Sequence, residues 1–96
     1  MNIGELLTNN RDKIISTCDK YGAKNVRVFG SVARGEADEK SDIDLLVSLG
    51  KNFGLFELVD LEKELSGVLG RKVDILSDRI QRPGLRERIL KDARPL

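Results

Sequence analysis

Ninety-six residues bound a single domain spanning 1–96, because a chain this short buries only a modest fraction of its surface and cannot build two independent cores. Hydrophobic residues make up 40% and aromatics only 4%, with no Trp, so the core must be aliphatic and a disordered chain is excluded. A net charge of +1, a single cysteine (Cys18) and no histidine speak against direct nucleic-acid binding as the main task and exclude an intramolecular disulfide, a Cys/His zinc site and a histidine-based dyad.

Ile3, Leu6, Leu7, Ile14, Ile15, Cys18 and Tyr21 recur at steps of three and four, the spacing of one amphipathic helix ending near Gly22, with Thr8-Asn9-Asn10 weakening its middle. This N-terminal segment, with Glu5 and two asparagines inside it, lacks the form of a signal peptide. Nor does any apolar run approach the roughly 20 residues of a membrane span, so a cytoplasmic protein without membrane attachment is expected. Val26, Val28 and Phe29 form a β-branched and aromatic run that Gly30 ends, a first strand. Residues 34–41 are polar and read as a loop, and Ile43, Leu45, Leu46 and Val47 form a second strand.

Leu55, Leu58, Leu61, Leu65, Val68 and Leu69 give the clearest helical periodicity, with Gly70 as its stop, and Val73, Ile75 and Leu76 follow as a third strand. Pro83 suits the first turn of a last helix whose Leu85, Ile89 and Leu90 would face inward, with Pro95 beyond its end. The last 18 residues carry six Lys/Arg (Arg79, Arg82, Arg86, Arg88, Lys91, Arg94) against Glu87 and Asp92, a net of +4, so residues 1–78 stand at −3, from 11 basic and 14 acidic residues. The order helix, strand, strand, helix, strand, helix implies an α+β fold: a small mixed β-sheet with helices packed on one face and the other face free for a site.

Without histidine, chemistry must rest on carboxylates. Side chains two apart on a strand share a face, so Asp42 and Asp44 project together. Two repelling carboxylates need a compensating cation, and paired hard oxygens suit Mg²⁺. The pair stands at the start of an otherwise apolar strand, where an uncompensated charge pair would be costly. Gly30-Ser31 follows directly on a strand, and Val32-Ala33-Arg34 reads as a short helical turn. A glycine lets backbone approach an anion, N–H groups at a helix start point at it, and a hydroxyl adds a donor. Asp74 lies between Val73 and Ile75 in a strand, where aspartate is depleted unless it has a task. Singly, each has a structural explanation: a solvated strand edge for the Asp pair, a turn and N-cap for Gly30-Ser31, an exposed edge for Asp74.

Together, Val28-Phe29-Gly30-Ser31, a ten-residue spacer from Val32 to Ser41, and Asp42-Ile43-Asp44-Leu45 resemble the signature of the DNA polymerase beta superfamily of nucleotidyltransferases. The wording Gly-Ser-Val-Ala-Arg-Gly and Ser-Asp-Ile-Asp-Leu-Leu-Val is most similar to its minimal nucleotidyltransferase branch, often encoded beside a HEPN-domain protein, and the similarity runs from the first helix to about Leu90. The resemblance implies a polymerase-beta-like fold, Gly30 and Ser31 on the triphosphate of ATP, Asp42 and Asp44 on two Mg²⁺ ions, and Asp74 on the catalytic one. Arg34, in the same segment, is a further phosphate candidate, since guanidinium matches phosphate oxygens bidentately. Ser41 would cap or orient the Asp strand.

Larger members of the superfamily carry an extra domain for the acceptor, for which 96 residues leave no room. In the minimal branch the resemblance implies an antitoxin in a hetero-oligomer, transferring AMP from ATP to a tyrosine of a HEPN ribonuclease toxin and so silencing it. The basic tail from Arg79 to Arg94 and the apolar residues Phe53 and Phe56 are candidates for docking, against the plainer reading of a solvated helix face and two core residues. Two rival functions are an antitoxin that blocks its partner sterically without catalysis, and a nucleotidyltransferase acting on RNA or a small molecule. Degenerate binders should have lost a carboxylate, and this chain keeps all three.

Overall fold

The computed structural model describes residues 2–38, 40–50, 53–79 and 82–96. Where the periodicity suggested one N-terminal helix there are two, α1 (Ile3–Asn9) and α2 (Arg11–Lys20). The break has a local cause: the Asn10 side-chain amide donates to the Leu6 carbonyl (2.8 Å), closing α1, while the Asn10 carbonyl accepts from Ile14 N–H (2.9 Å) and opens α2. Gly22, at φ +78°, then turns the chain into β1 (Ala23–Phe29), which bulges between Lys24 and Arg27 around Asn25 at φ 53°.

A four-residue turn of helix, α3 (Gly30–Ala33), follows directly, then the polar loop, then β2 (Ile43–Leu49). The long helix α4 (Leu55–Leu69) begins where Glu57 accepts from the Gly54 N–H at 2.9 Å, and it ends in a left-handed glycine, Gly70, at φ 65°. It leads into β3 (Val73–Ser77), α5 (Pro83–Asp92) and a two-residue strand, β4 (Arg94–Pro95). The sheet order is β3-β2-β1-β4, with β2 and β3 parallel and the other pairs antiparallel, so the sheet is mixed as expected. No sequence pattern marks β4: Pro95 does not merely follow the last helix but pairs with Arg27 of β1.

One face of the sheet carries the core. Ile43, Leu45, Val47, Val73, Ile75 and Val28 meet Ile14 and Cys18 of α2, Leu61, Leu65 and Leu69 of α4, and Ile3 and Leu7 of α1, an aliphatic cluster without any buried charge among the described residues. Burial pushes the Cys18 thiol up to about 11, which leaves it protonated and inert at neutral pH. The last helix departs from the expected inward face: Ile89 is buried outside this cluster, whereas Leu85 and Leu90 are 42% and 39% exposed. Phe56 is 84% exposed, while Phe53 packs against the core from a half-buried position. Two α4 side chains close the outer edge of β3, Ser66 Oγ accepting from Val73 N–H (3.1 Å) and Glu62 Oε2 from Ile75 N–H (2.9 Å).

Candidate active site

Strand alternation sends Asp44 and Asp74 to the sheet face opposite the core, since their neighbours Ile43, Leu45, Val73 and Ile75 are buried. Register brings them side by side: Asp44 is the Cα partner of Asp74 on β3 and of Phe29 on β1. Asp42, one residue before β2, projects to the same side. All three carboxylates singled out from the sequence therefore share one end of one sheet face.

Gly30 comes next after Phe29 and stands against this cluster at φ +72°. A Cβ there would collide with the Asp44 carboxylate, overlapping Oδ2 and lying 3.3 Å from Cγ. The position thus demands glycine twice, for its left-handed backbone and for the space the carboxylate fills. Ser31 is the second residue of the α3 turn that Arg34 N–H closes on the Gly30 carbonyl (3.1 Å), and its own carbonyl accepts from Glu36 N–H (2.9 Å). The Ser31 hydroxyl has no protein partner among the described residues.

The electrostatics follow from this crowding. Partial burial lifts the Asp44 carboxyl above the ordinary aspartate value, the negative charges of Asp74 and Asp42 lift it further, and Arg34 and Lys72 pull the other way. Lys72 Nζ stands 3.8 Å from Asp42 Oδ2 and 4.0 Å from Asp74 Oδ1, at ion-pair range beyond hydrogen-bond length. Among the described residues no three acidic, histidine or cysteine side chains form a ready-made metal cage. Magnesium does not require one: it is usually held by one or two carboxylates together with waters and substrate phosphates. The donor set, hard oxygens whose mutual repulsion lacks a tightly bound counter-ion, fits a divalent cation that arrives with phosphate.

Arg34 is held by two carboxylates, Nε to Glu36 Oε2 and Nη1 to Asp92 Oδ2, each at 3.1 Å. The Asp92 contact ties α5 to the α3 turn. Beside it lies a cleft of 380 Å³ walled by Phe29, Gly30 and Arg34 on one side and by Arg88, Ile89, Lys91 and Asp92 of α5 on the other. In the sequence Arg88 and Lys91 belong only to a basic tail, since nothing in their spacing tells which α5 residues turn toward Gly30. Arg71 carries no motif either, yet its Nη2 donates to the carbonyls of Asp38 (2.9 Å) and Ser41 (3.0 Å) and pins the loop that delivers Asp42. Ser41 caps that loop, its hydroxyl accepting from Asp38 N–H at 3.0 Å, in keeping with an orienting role.

The chain is similar to known proteins in sequence and in fold. A Methanocaldococcus jannaschii protein provisionally named protein adenylyltransferase MJ0435 is 45% identical over 93 residues, covering 97% of this chain and 96% of its own. A solved structure described provisionally as a minimal nucleotidyltransferase superposes with a TM-score of 0.85 at 49% identity, covering 96% of this chain and 94% of that one. The fold is also shared with a Shewanella oneidensis complex of a tri-AMPylated HEPN toxin with an MNT antitoxin, at a TM-score of 0.70, 20% identity, and coverage of 92% of this chain and 69% of that one. The sequence pattern of the Polymerase beta, Nucleotidyltransferase family matches residues 12–96, and the chain belongs to that family.

Proposed function

We propose that this protein is a Mg²⁺-dependent protein adenylyltransferase that acts as an antitoxin, moving AMP from ATP onto a tyrosine of a HEPN-domain toxin with which it assembles in the cytoplasm. The observation that carries the reading is the alignment of Asp44 with Asp74 on one sheet face beside the stripped backbone of Gly30. Among the described residues no helix is long and apolar enough to cross a membrane. The name of the M. jannaschii relative and the AMP-bearing toxin in the Shewanella complex support this choice of substrate class and partner.

In this mechanism Gly30 and Ser31 receive the triphosphate, the first by letting the backbone come close and the second with its free hydroxyl, and Arg34 exchanges a carboxylate for a phosphate oxygen. Asp42 and Asp44 would hold two magnesium ions and Asp74 the catalytic one, which supply charge neutralisation at the reacting phosphate and lower the pKa of the attacking hydroxyl. The tyrosine oxygen bonds to the α-phosphorus, the bond from that phosphorus to the bridging oxygen breaks, and pyrophosphate leaves. The tyrosine proton passes through the Asp74 carboxylate to solvent. The acceptor side of the site is left to the partner, which brings its own surface.

Incubating the protein with its HEPN partner, ATP and Mg²⁺ should add mass to the partner in steps of one AMP. Asp42→Asn should cut the rate roughly 10³-fold, the scale of losing a preorganised charge contact in phosphoryl-type transfer. A partner that is inhibited yet gains no mass would overturn the catalytic reading in favour of steric neutralisation.

A further inference from the structure

The cleft between the α3 turn and α5 extends from Gly30 away from Asp74. Three cations line it, Arg34, Arg88 and Lys91, against a single carboxylate, Asp92, which is already engaged by Arg34 at 3.1 Å. Arg88 and Lys91 lie three residues apart on one face of α5, while the buried Ile89, on another face, fixes the helix against the body of the protein. Both are exposed and form no ion pair among the described residues. Solvated arginines and lysines on a helix are ordinary, but here two of them face a third cation across a pocket whose 380 Å³ is in the range of small-ligand sites, about 300–1,000 Å³.

We propose that Arg88 and Lys91 grip the β- and γ-phosphates of the nucleoside triphosphate from the α5 side of this cleft. The inference rests on the nucleotidyl-transfer reading above and extends it to a part of the chain outside the family's short motifs. Direction comes from the sheet order β3-β2-β1-β4. Asp74 on β3 and Asp44 on β2 mark where the α-phosphorus reacts, Gly30 at the end of β1 follows, and the cleft lies beyond it. A triphosphate whose reacting end lies between Asp44 and Asp74 therefore runs its tail past Gly30 into the cleft. Its charge meets two free cations and one, Arg34, that is released as phosphate replaces carboxylate. After the α-phosphorus bond breaks, the same side chains hold the departing pyrophosphate, so they govern donor affinity and product release together.

The test is calorimetric and needs no acceptor protein. The full chain is titrated with MgATP, MgAMP and inorganic tripolyphosphate. The double variant Arg88→Ala/Lys91→Ala should bind ATP and tripolyphosphate roughly 10- to 100-fold more weakly, the worth of one or two charge-assisted contacts, with AMP affinity changed less than about threefold. Arg82→Ala/Arg86→Ala removes the same charge from the N-terminal end of α5 and the residue before it, outside the cleft, and should change each affinity less than about threefold, as expected for screened surface charges. Arg88→Lys should restore part of the tripolyphosphate binding. Three results would each overturn the assignment: unchanged tripolyphosphate affinity, a loss matched by AMP, or an equal loss in the control pair. Wild-type protein that binds neither ATP nor tripolyphosphate would overturn the transfer reading as well, whereas normal donor binding with an unmodified partner would overturn that reading alone.

Discussion

Asp44 sits where three demands meet: it is half-buried, it faces two other carboxylates, and a glycine has been shaped to leave it room. Burial and repulsion raise its pKa above the ordinary 3.8, so the folded protein holds that proton more tightly than the unfolded chain. The contribution to stability is accordingly full below pH 3.8 and is lost as pH rises through the raised folded value. In magnesium-free buffer, Asp44→Asn should match the parent in thermal unfolding at low pH. Above the carboxylate range the variant should be the more stable, with a higher thermal midpoint than the parent. Equal melting temperatures across the whole pH range would contradict the described crowding. The participants at this scale were legible in the sequence, because Asp42, Asp44 and Asp74 follow a period-2 rule that needs no tertiary information. Arg71 and Lys72 were not: one bonds backbone carbonyls of a loop 30 and 33 residues earlier and the other sits between two aspartates from different elements, relations that no local pattern encodes.

Elements announced themselves in proportion to how much of their own burial they carry. α4 and β2, with Leu61, Leu65, Ile43, Leu45 and Val47 fully buried, showed clear periodicity, whereas β4 is only Arg94 and Pro95 and exists because β1 offers it an edge. The split of the first helix turned on the Asn10 amide competing for the Leu6 carbonyl, a choice that propensity weakens but does not decide. At the other edge, β3 depends on α4 for two backbone partners. Replacing Glu62 by Ala leaves the Ile75 N–H without its acceptor and should cost about 1 kcal/mol. Hydrogen exchange should localise the effect, the Ile75 amide losing protection while amides in β1 keep theirs. Uniform loss through the sheet would mean that Glu62 acts on the fold as a whole.

At the scale of the molecule, stability rests on the single aliphatic layer between sheet and helices. Leu65, fully buried in that layer, is its most direct probe. Leu65→Ala should remove about 2–5 kcal/mol from a total that for domains of this kind is about 5–15 kcal/mol, lowering the thermal midpoint by roughly 10 °C or more. A shift of a degree or two would show that the layer can collapse around the lost side chain. The core lies against one face of the sheet and Asp44 and Asp74 project from the other, so the carboxylates and the core are separated by the thickness of one sheet. The site can therefore hold unfavourable charge without loosening the layer beneath it. Lys72 completes that division of labour. Poised near both Asp42 and Asp74, it gives the idle enzyme a tethered monovalent counter-ion of its own. Under the proposed function, arrival of a divalent ion with nucleotide would be an ion exchange, one cation displacing another.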